Sequence, residues 1–453
     1  MNLHDAMNNM THTENLMPSY KSTLDECVDL FFQVGASRGK CMKAPFKKAL
    51  KQDKDIAMRI LLWSRDVRGG AGERQIFRDL IRTTALTDRF VSLIPEVGRW
   101  DDVLALRGTP HEDAAVSLLR TTLLEEQNGL CAKWMPRKGE KAVWLRYRLG
   151  LSPKSYRKML VNLTRVVESE MTANQWQSID YEKVPSLASA RYQKAFARHD
   201  PEGYEAYKQG LVTGTASVHA DTLYPYDVLK SLYAGDSTVA QAQWEALPDF
   251  VENDSTFLPV IDVSGSMTTR IAPNLTALMV SVSLGLYLAE HNKGIFKDQF
   301  VTFSARPEMH KVHGTLEQRL EQIENANWGM NTDIEAVFDL ILNAAQAHKV
   351  PQNEMPSVIL ILSDMQFDQA TTGTPALAMI AHKYERAGYK RPEVVFWNLC
   401  DRPGNIPATL NDTGVGLVSG FSPSIVKTLL SGETMDPVKI MKAAVCIPRY
   451  DWQ

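Results

Sequence analysis

The stretch "FLPVIDVSGSMTTR", Phe257 to Arg270, runs an apolar segment straight into Asp262, Ser264 and Ser266. A core strand has no use for an aspartate and two hydroxyls at alternating positions, so the cluster is expected to hold something at the strand's end. Downstream, "WGMNTDIEAVF" places Thr332 at the start of a helix, and "VILILSDMQFD" places Asp364 after a second apolar run. Two carboxylates and three hydroxyls form an all-oxygen set, the hard ligands that suit Mg²⁺, with Mn²⁺ and Ca²⁺ as alternatives. Two carboxylates do not fill an octahedron and magnesium keeps its waters, so an open coordination position is expected. The competing reading is that Asp262 and Ser264 merely cap a helix or turn. Thr332 and Asp364, at the proper helix and strand ends, favour the metal.

The elements that must position these residues change character near residue 250. Before it the chain reads as helices. "DKDIAMRILLWSRDV" and "ERQIFRDLIRTT" carry apolar residues at helical spacing, separated by the breaker "RGGAG". Further helices are expected over 22–34, 99–107, 111–127, 152–171 and 186–209. Successive short amphipathic pairs suggest an α-solenoid of HEAT-like type, although no fixed-period repeat is legible. After an acidic connector, strands are expected at 257–261, 299–304, 309–313, 357–362, 393–398 and 414–418. Helices should fall between them at 274–291, 315–325, 333–348, 375–387 and 423–431. Runs such as "VILIL" and "VVFW" separated by helices indicate a mostly parallel, doubly wound sheet covered on both faces. Ligands of such sheets gather at the carboxyl ends of strands. The expected class is thus α followed by α/β. Its parts are a flexible terminus over 1–20, a helical module over 21–250, a sheet domain over 251–435, and a C-terminal helix and tail over 436–453 that pack back on the helices.

The order and spacing of Asp262, Ser264, Ser266, Thr332 and Asp364 resemble the metal-ion-dependent adhesion site of von Willebrand factor A domains. That resemblance implies direct contact with the metal for Ser264, Ser266 and Thr332, and contact at least partly through water for Asp262 and Asp364. A carboxylate from a partner protein would complete the coordination. In the helical half, "WSRDVRGGAGERQIFRDLI" (63–81) and "VGRWDDVLAL" (97–106) look like segments of the TROVE module of Ro, telomerase-associated and vault proteins. The phrases "KWMPRKGEKAVWLRYRLGLSPKSYRKML" (133–160) and "DTLYPYDVLKSL" (221–232) look closer to that module's uncharacterised bacterial, plant and viral relatives. Ro-type proteins join a ring of helical repeats to a C-terminal A domain and bind RNA, single-stranded ends in the hole and structured RNA outside. Such rings close within one chain, so a monomer is expected.

Charge agrees with a local RNA contact. Residues 1–250 carry 34 Lys+Arg against 31 Asp+Glu, and residues 251–453 carry 16 against 22. Lys133, Arg137, Lys138, Lys141, Arg146, Arg148, Lys154, Arg157 and Lys158 alternate with Trp134, Trp144, Tyr147 and Tyr156. Cations for phosphate beside planar rings for stacking are what single-stranded RNA requires. A solvated helix face over core aromatics is the plain alternative. Arg65, Arg68 and Arg74 bracket the "RGGAG" turn and form a second phosphate candidate, against which stands a tight turn with surface pairs. Trp100, Asp101 and Asp102 read as structural.

Several function classes drop out. No apolar run approaches the roughly 18 residues of a membrane span, and the Met- and Asn-rich start lacks the features of a secretory signal. Five scattered cysteines without CxxC favour reduced thiols in a cytoplasmic protein over disulfides or zinc. There is no phosphate-binding P-loop, no H-E-x-x-H and no G-x-S-x-G elbow. A nuclease would want a denser carboxylate cluster than Asp262 and Asp364. The site therefore reads as a binding device and not a catalytic one. The leading reading is an RNA-binding scaffold with a metal-dependent protein contact; the alternative is a metal-dependent adaptor without RNA.

Overall fold

Some of the helices in the first half begin at a residue whose side chain caps them. The computed structural model describes residues 8–164, 166–235, 237–251, 256–303, 306–326, 331–368, 376–402, 404–430 and 435–453. Asp25 accepts from the Cys27 and Val28 amides to open α1 (Glu26–Val34), and Asp53 accepts from the Ile56 amide to open α2 (Lys54–Arg65). The "RGGAG" turn leads into α3 (Gln75–Ile81). A Cβ on Gly70 would lie 1.9 Å from the Trp63 carbonyl oxygen, so only glycine lets the chain fold back onto the end of α2. Beyond it come α4 (Gly139–Arg148) and α5 (Pro153–Leu163), the latter capped by Ser152. The helix expected over 186–209 is two: Asp200 and Pro201 end α6 (Ser186–His199) and start α7 (Pro201–Thr213). Proline has no N–H for the preceding turn, and Asp200 accepts from the Gly203 amide instead. The helix expected over 152–171 also breaks, after Leu163, where Thr164 turns to an extended conformation.

The sheet is built from β3 (Phe257–Ile261), β4 (Gln299–Thr302), β5 (Met309–Lys311), β6 (Val358–Ser363), β7 (Glu393–Asn398) and β8 (Val415–Ser419), numbered after a short hairpin of β1 (Met10–His12) and β2 (Pro18–Tyr20). Its spatial order is β8-β7-β6-β3-β4-β5, parallel except for β5, which runs antiparallel to β4. β3, β6 and β8 are buried along their whole length, as their unbroken apolar runs require. Between strands lie α8 (Ala277–His291), α9 (Ile334–His348) and α10 (Ala376–Arg386). The chain leaves β3 towards β4 and β5, then returns to the other side of β3 with β6. The switch point therefore falls between β3 and β6, whose ends carry Asp262 and Asp364. Ser304, Glu252–Asp254 of the connector, Pro375 at the start of the expected last-but-one helix, and Arg165 lie outside the described residues.

Two segments depart from the expected partition. Residues 8–20, expected as a loose terminus, form the β1–β2 hairpin docked on the sheet half: the Tyr20 amide donates to the Ile406 carbonyl at 2.9 Å, and Ser19 Oγ to the Gly404 carbonyl at 2.6 Å. Helix α1, expected with the helical module, packs on β8. Asn398 Nδ2 and Ser419 Oγ reach the Phe32 and Phe31 carbonyls at its end. A Cβ on Gly35 would sit 2.8 Å from the Gly420 amide nitrogen, so this approach also needs glycine. One hydrophobic core runs through both halves, with a smaller satellite over 167–239.

The C-terminal α11 (Pro437–Val445) touches both β8 and α2. Beyond it Asp66, fully buried, pairs with Arg449 and accepts from the Tyr450 hydroxyl at 3.0 Å. Tyr450→Phe is expected to cost about 1.5 kcal/mol, the worth of a hydrogen bond to a buried charged group. An unchanged urea midpoint would show that the tail does not hold Asp66. No helix among the described residues is long and apolar enough to cross a membrane.

Candidate functional site

At the switch point, Asp262 is fully buried directly after β3. Its Oδ1 accepts from the Ser264 amide at 2.9 Å and its Oδ2 from Ser363 Oγ at 2.5 Å. The Ser264 and Ser266 hydroxyls lie 3.1 Å apart. Asp364, also fully buried, follows β6. Met365 after it takes φ 64°, a left-handed conformation that a non-glycine residue holds only under constraint. That turn brings the Gln366 amide within 3.3 Å of Asp364 Oδ1. Thr332 is buried one loop away. Its Oγ1 donates to the Gln366 carbonyl at 2.7 Å, and its amide is capped by Asp368 at 2.7 Å. Asp262, Ser264, Ser266 and Asp364 thus form one cluster, and Thr332 joins it through the 364–368 loop.

The electrostatics of the cluster show what it lacks. Burial first, then the neighbouring Asp364 charge, push the Asp262 carboxyl up to about 6. Burial likewise raises Asp364, against the opposing pull of Arg402. Arg402 Nε lies 3.1 Å from Asp364 Oδ2 but off the hydrogen-bonding direction, so that both atoms stay without a hydrogen-bond partner. Two desolvated carboxylates with an unsatisfied oxygen fit a hard divalent cation, which would neutralise both. Among the described residues no three His, Cys, Asp or Glu side chains gather as a metal cluster, so a cation here would depend on the serine hydroxyls.

The basic stretch is divided by the fold. Arg137, Lys138, Lys141, Lys154, Arg157 and Lys158 are exposed, and Lys133, Arg146 and Arg148 half-buried. Lys154, Arg157 and Lys158 share one face of α5 by their i, i+3, i+4 spacing. Arg148 is spent on Glu112 and Asp113. Of the interleaved aromatics, Trp134 lies under Arg99 at 3.9 Å and Trp144 Nε1 donates to Glu112. Tyr156 is buried with its hydroxyl on the Pro136 carbonyl. Tyr147 remains 80% exposed and free to stack.

The second phosphate candidate is corrected by the structure. Arg65 is 1% exposed and its Nε donates to the fully buried Asp102 at 2.7 Å, so it cannot meet a phosphate. Arg68 and Arg74 stay exposed beside the turn. Partial desolvation and the charges of Arg99, Arg65 and Arg78 hold the Arg74 pKa below the usual arginine value.

Both halves resemble sequences already grouped into families. Residues 256–445 match a family model described as a domain of unknown function, DUF7788. Residues 13–82 and 143–257 match a second, DUF2828, also a domain of unknown function. The seam between them falls at the start of β3, where the fold itself changes from helices to sheet. A protein of Acanthamoeba polyphaga mimivirus, "Uncharacterized protein L728", is 28% identical over 503 residues, covering 96% of this chain and 87% of its own.

Sequence reasoning missed three contributors to the site. Ser363 ends the apolar run of β6 beside Asp364, which drew attention away from it. Arg402 follows β7 and was findable by the same strand-end rule that located the aspartates. Glu14, which reaches Arg402 from the hairpin at 3.1 Å, carries no local signal at all.

Proposed function

We propose that this chain is an RNA-binding scaffold of the Ro/TROVE-related type, whose sheet half is a von Willebrand factor A-type domain holding Mg²⁺ and a protein carboxylate. The observation that carries the reading is the convergence of Asp262, Ser264, Ser266 and Asp364 at the switch point of a doubly wound sheet, in the chain order of an adhesion-type metal site. The metal supplies a Lewis-acidic position for a partner's carboxylate. The chain's own residues hold that position: Ser363 and the Ser264 amide fix Asp262, and the Met365 turn aims Asp364. This reading takes the site as one that binds and does not catalyse. The RNA contact is assigned to Arg137, Lys138 and Lys141 and to the α5 face of Lys154, Arg157 and Lys158, with Tyr147 as the stacking ring.

Replacing Lys138, Lys141, Arg157 and Lys158 with Glu should weaken RNA binding across sequences. Each lost phosphate contact should flatten the salt dependence by about one unit of slope. Fluorescence anisotropy with a labelled single strand at several salt concentrations reads both. An unchanged slope removes the RNA half of the proposal. The adaptor reading draws on one observation: Trp134, Trp144 and Tyr156 are engaged internally, which leaves a thin stacking surface. A raised 260/280 absorbance ratio in the purified protein would count against it.

A further inference from the structure

The N-terminal hairpin lies across part of the rim of the candidate metal site, on the 366–368 loop and Arg402, while Gly265 stays exposed and Ser266 half-buried. Its turn, Thr13 to Met17, is closed by the Thr13 amide on the Met17 carbonyl at 2.9 Å. Thr13 Oγ1 donates to the Phe367 carbonyl at 2.9 Å, the Glu14 amide to Gln366 Oε1 at 2.8 Å, and Asn15 Nδ2 to the Gln366 carbonyl at 2.9 Å. Leu16 forms an antiparallel bridge with Asp368. The Glu14 carboxylate meets Arg402 Nη1 at 3.1 Å. The same guanidinium reaches the Ser266 carbonyl at 3.3 Å and Thr269 Oγ1 at 3.0 Å through Nη2, and lies 3.1 Å from Asp364 through Nε. One arginine therefore connects the hairpin's carboxylate to both loops of the site.

The contact is a recognition surface in its chemistry. A hydroxyl, a backbone N–H, a side-chain amide and a carboxylate are each read by a separate group on the rim, within three consecutive residues. Little apolar burial holds the turn in place: Leu16 is 62% exposed and the Glu14 side chain 68%, while Met17 is the buried anchor. A segment held by hydrogen bonds and one half-exposed ion pair opens at low cost. Strand β2 keeps its own attachment to Gly404 and Ile406, so the turn can leave without the hairpin leaving.

We propose that the rim formed by Gln366–Asp368 and Arg402 is a docking site for a short acidic turn of a partner protein, and that residues 13–16 occupy it in the resting chain. The partner segment enters by displacing them, its carboxylate taking the Arg402 position of Glu14 beside the metal. This rests on the reading of the site as a carboxylate receptor and gives the partner its form: an acidic residue flanked by a hydroxyl and an amide. An occupant that fills the seat nine-tenths of the time lowers a competitor's apparent affinity about tenfold.

The test uses the full chain and a fluorescent peptide of its own residues 11–17, THTENLM. Full-length Thr13→Ala/Glu14→Lys/Asn15→Ala, with the seat emptied, should bind this peptide about tenfold tighter than wild type. Adding Arg402→Glu should abolish the gain, and a peptide bearing Lys in place of Glu14 should not bind. Equal binding by the emptied variant and wild type overturns the proposal. Hydrogen exchange provides a second readout in a less altered chain: Arg402→Gln should speed exchange at residues 13–17 and leave Ser19 and Tyr20 unchanged. Uniform exchange across the hairpin would mean a fixed structural element and also overturns it. Running both with Mg²⁺ and with EDTA separates the two readings. A Mg²⁺-induced thermal shift without peptide binding sinks the occupancy alone; peptide binding without any Mg²⁺ shift sinks the metal alone.

Discussion

Asp102→Ala is expected to destabilise the chain by about 3–5 kcal/mol, the cost of breaking a buried ion pair and stranding its partner. Asp102 is fully buried and accepts from Arg65 Nε at 2.7 Å, Arg78 Nε at 2.6 Å and the Arg99 amide at 2.9 Å. Arg65, at 1% exposure, has nowhere to extend once that carboxylate is gone. Arg78 is less affected, because Asp101 lies 2.8 Å from its Nη2. Asp102→Asn keeps an acceptor for the Arg99 amide while removing the charge, so its loss relative to wild type reports mainly the electrostatic part, and the further loss in Asp102→Ala reports the hydrogen bonds and packing. Arg65→Met/Asp102→Leu should recover much of the loss, since the desolvation of both charges disappears together. The urea midpoint reads all three. A loss under about 1 kcal/mol for Asp102→Ala would mean that the pair contributes no more than a surface bridge.

This network gives physical content to two phrases that stand out in the sequence. "WSRDVRGGAGERQIFRDLI" supplies Arg65 and Arg78, and "VGRWDDVLAL" supplies Asp101 and Asp102; the two meet as one cluster. Read locally, Arg65 sits in a basic phrase and looks like a phosphate ligand. Its counter-ion lies 37 residues away, which no local pattern reports. The aspartate pair was legible as structural, but its partners were not.

The same limit separates what the sequence showed of the sheet half from what it hid. β3, β6 and β7 are apolar runs bounded by polar residues, and a buried parallel strand has few other ways to be written. Asp262 and Asp364 could be placed because strand ends at a switch point are where such sheets put ligands. The hairpin could not be placed. Thr13 and Phe367 are 354 residues apart, and a Met- and Asn-rich start has neither the periodicity of a helix nor the alternation of a long strand. Likewise Asp200–Pro201 splits one amphipathic pattern into two helices, because periodicity continues across a break that backbone chemistry imposes.

Asp262→Asn is expected to abolish stabilisation by Mg²⁺ while leaving the metal-free chain no less stable than wild type. Bound to the native state alone, Mg²⁺ at one hundred times its Kd adds about 2.7 kcal/mol, which appears as an upward shift of the unfolding midpoint. Asparagine retains the acceptor for the Ser264 amide and can donate to Ser363 Oγ, so the local hydrogen bonds of Asp262 have replacements. What disappears is one of two desolvated like charges. Burial and Asp364 already oppose the ionised form of Asp262, so its removal relieves repulsion in the metal-free chain and weakens the cation's seat in the loaded one. The two effects have opposite signs, which a merely structural aspartate would not produce. Differential scanning fluorimetry with EDTA and with Mg²⁺ measures both on one sample. An Mg²⁺ shift in Asp262→Asn equal to that of wild type would show that the cation does not bind between these strands.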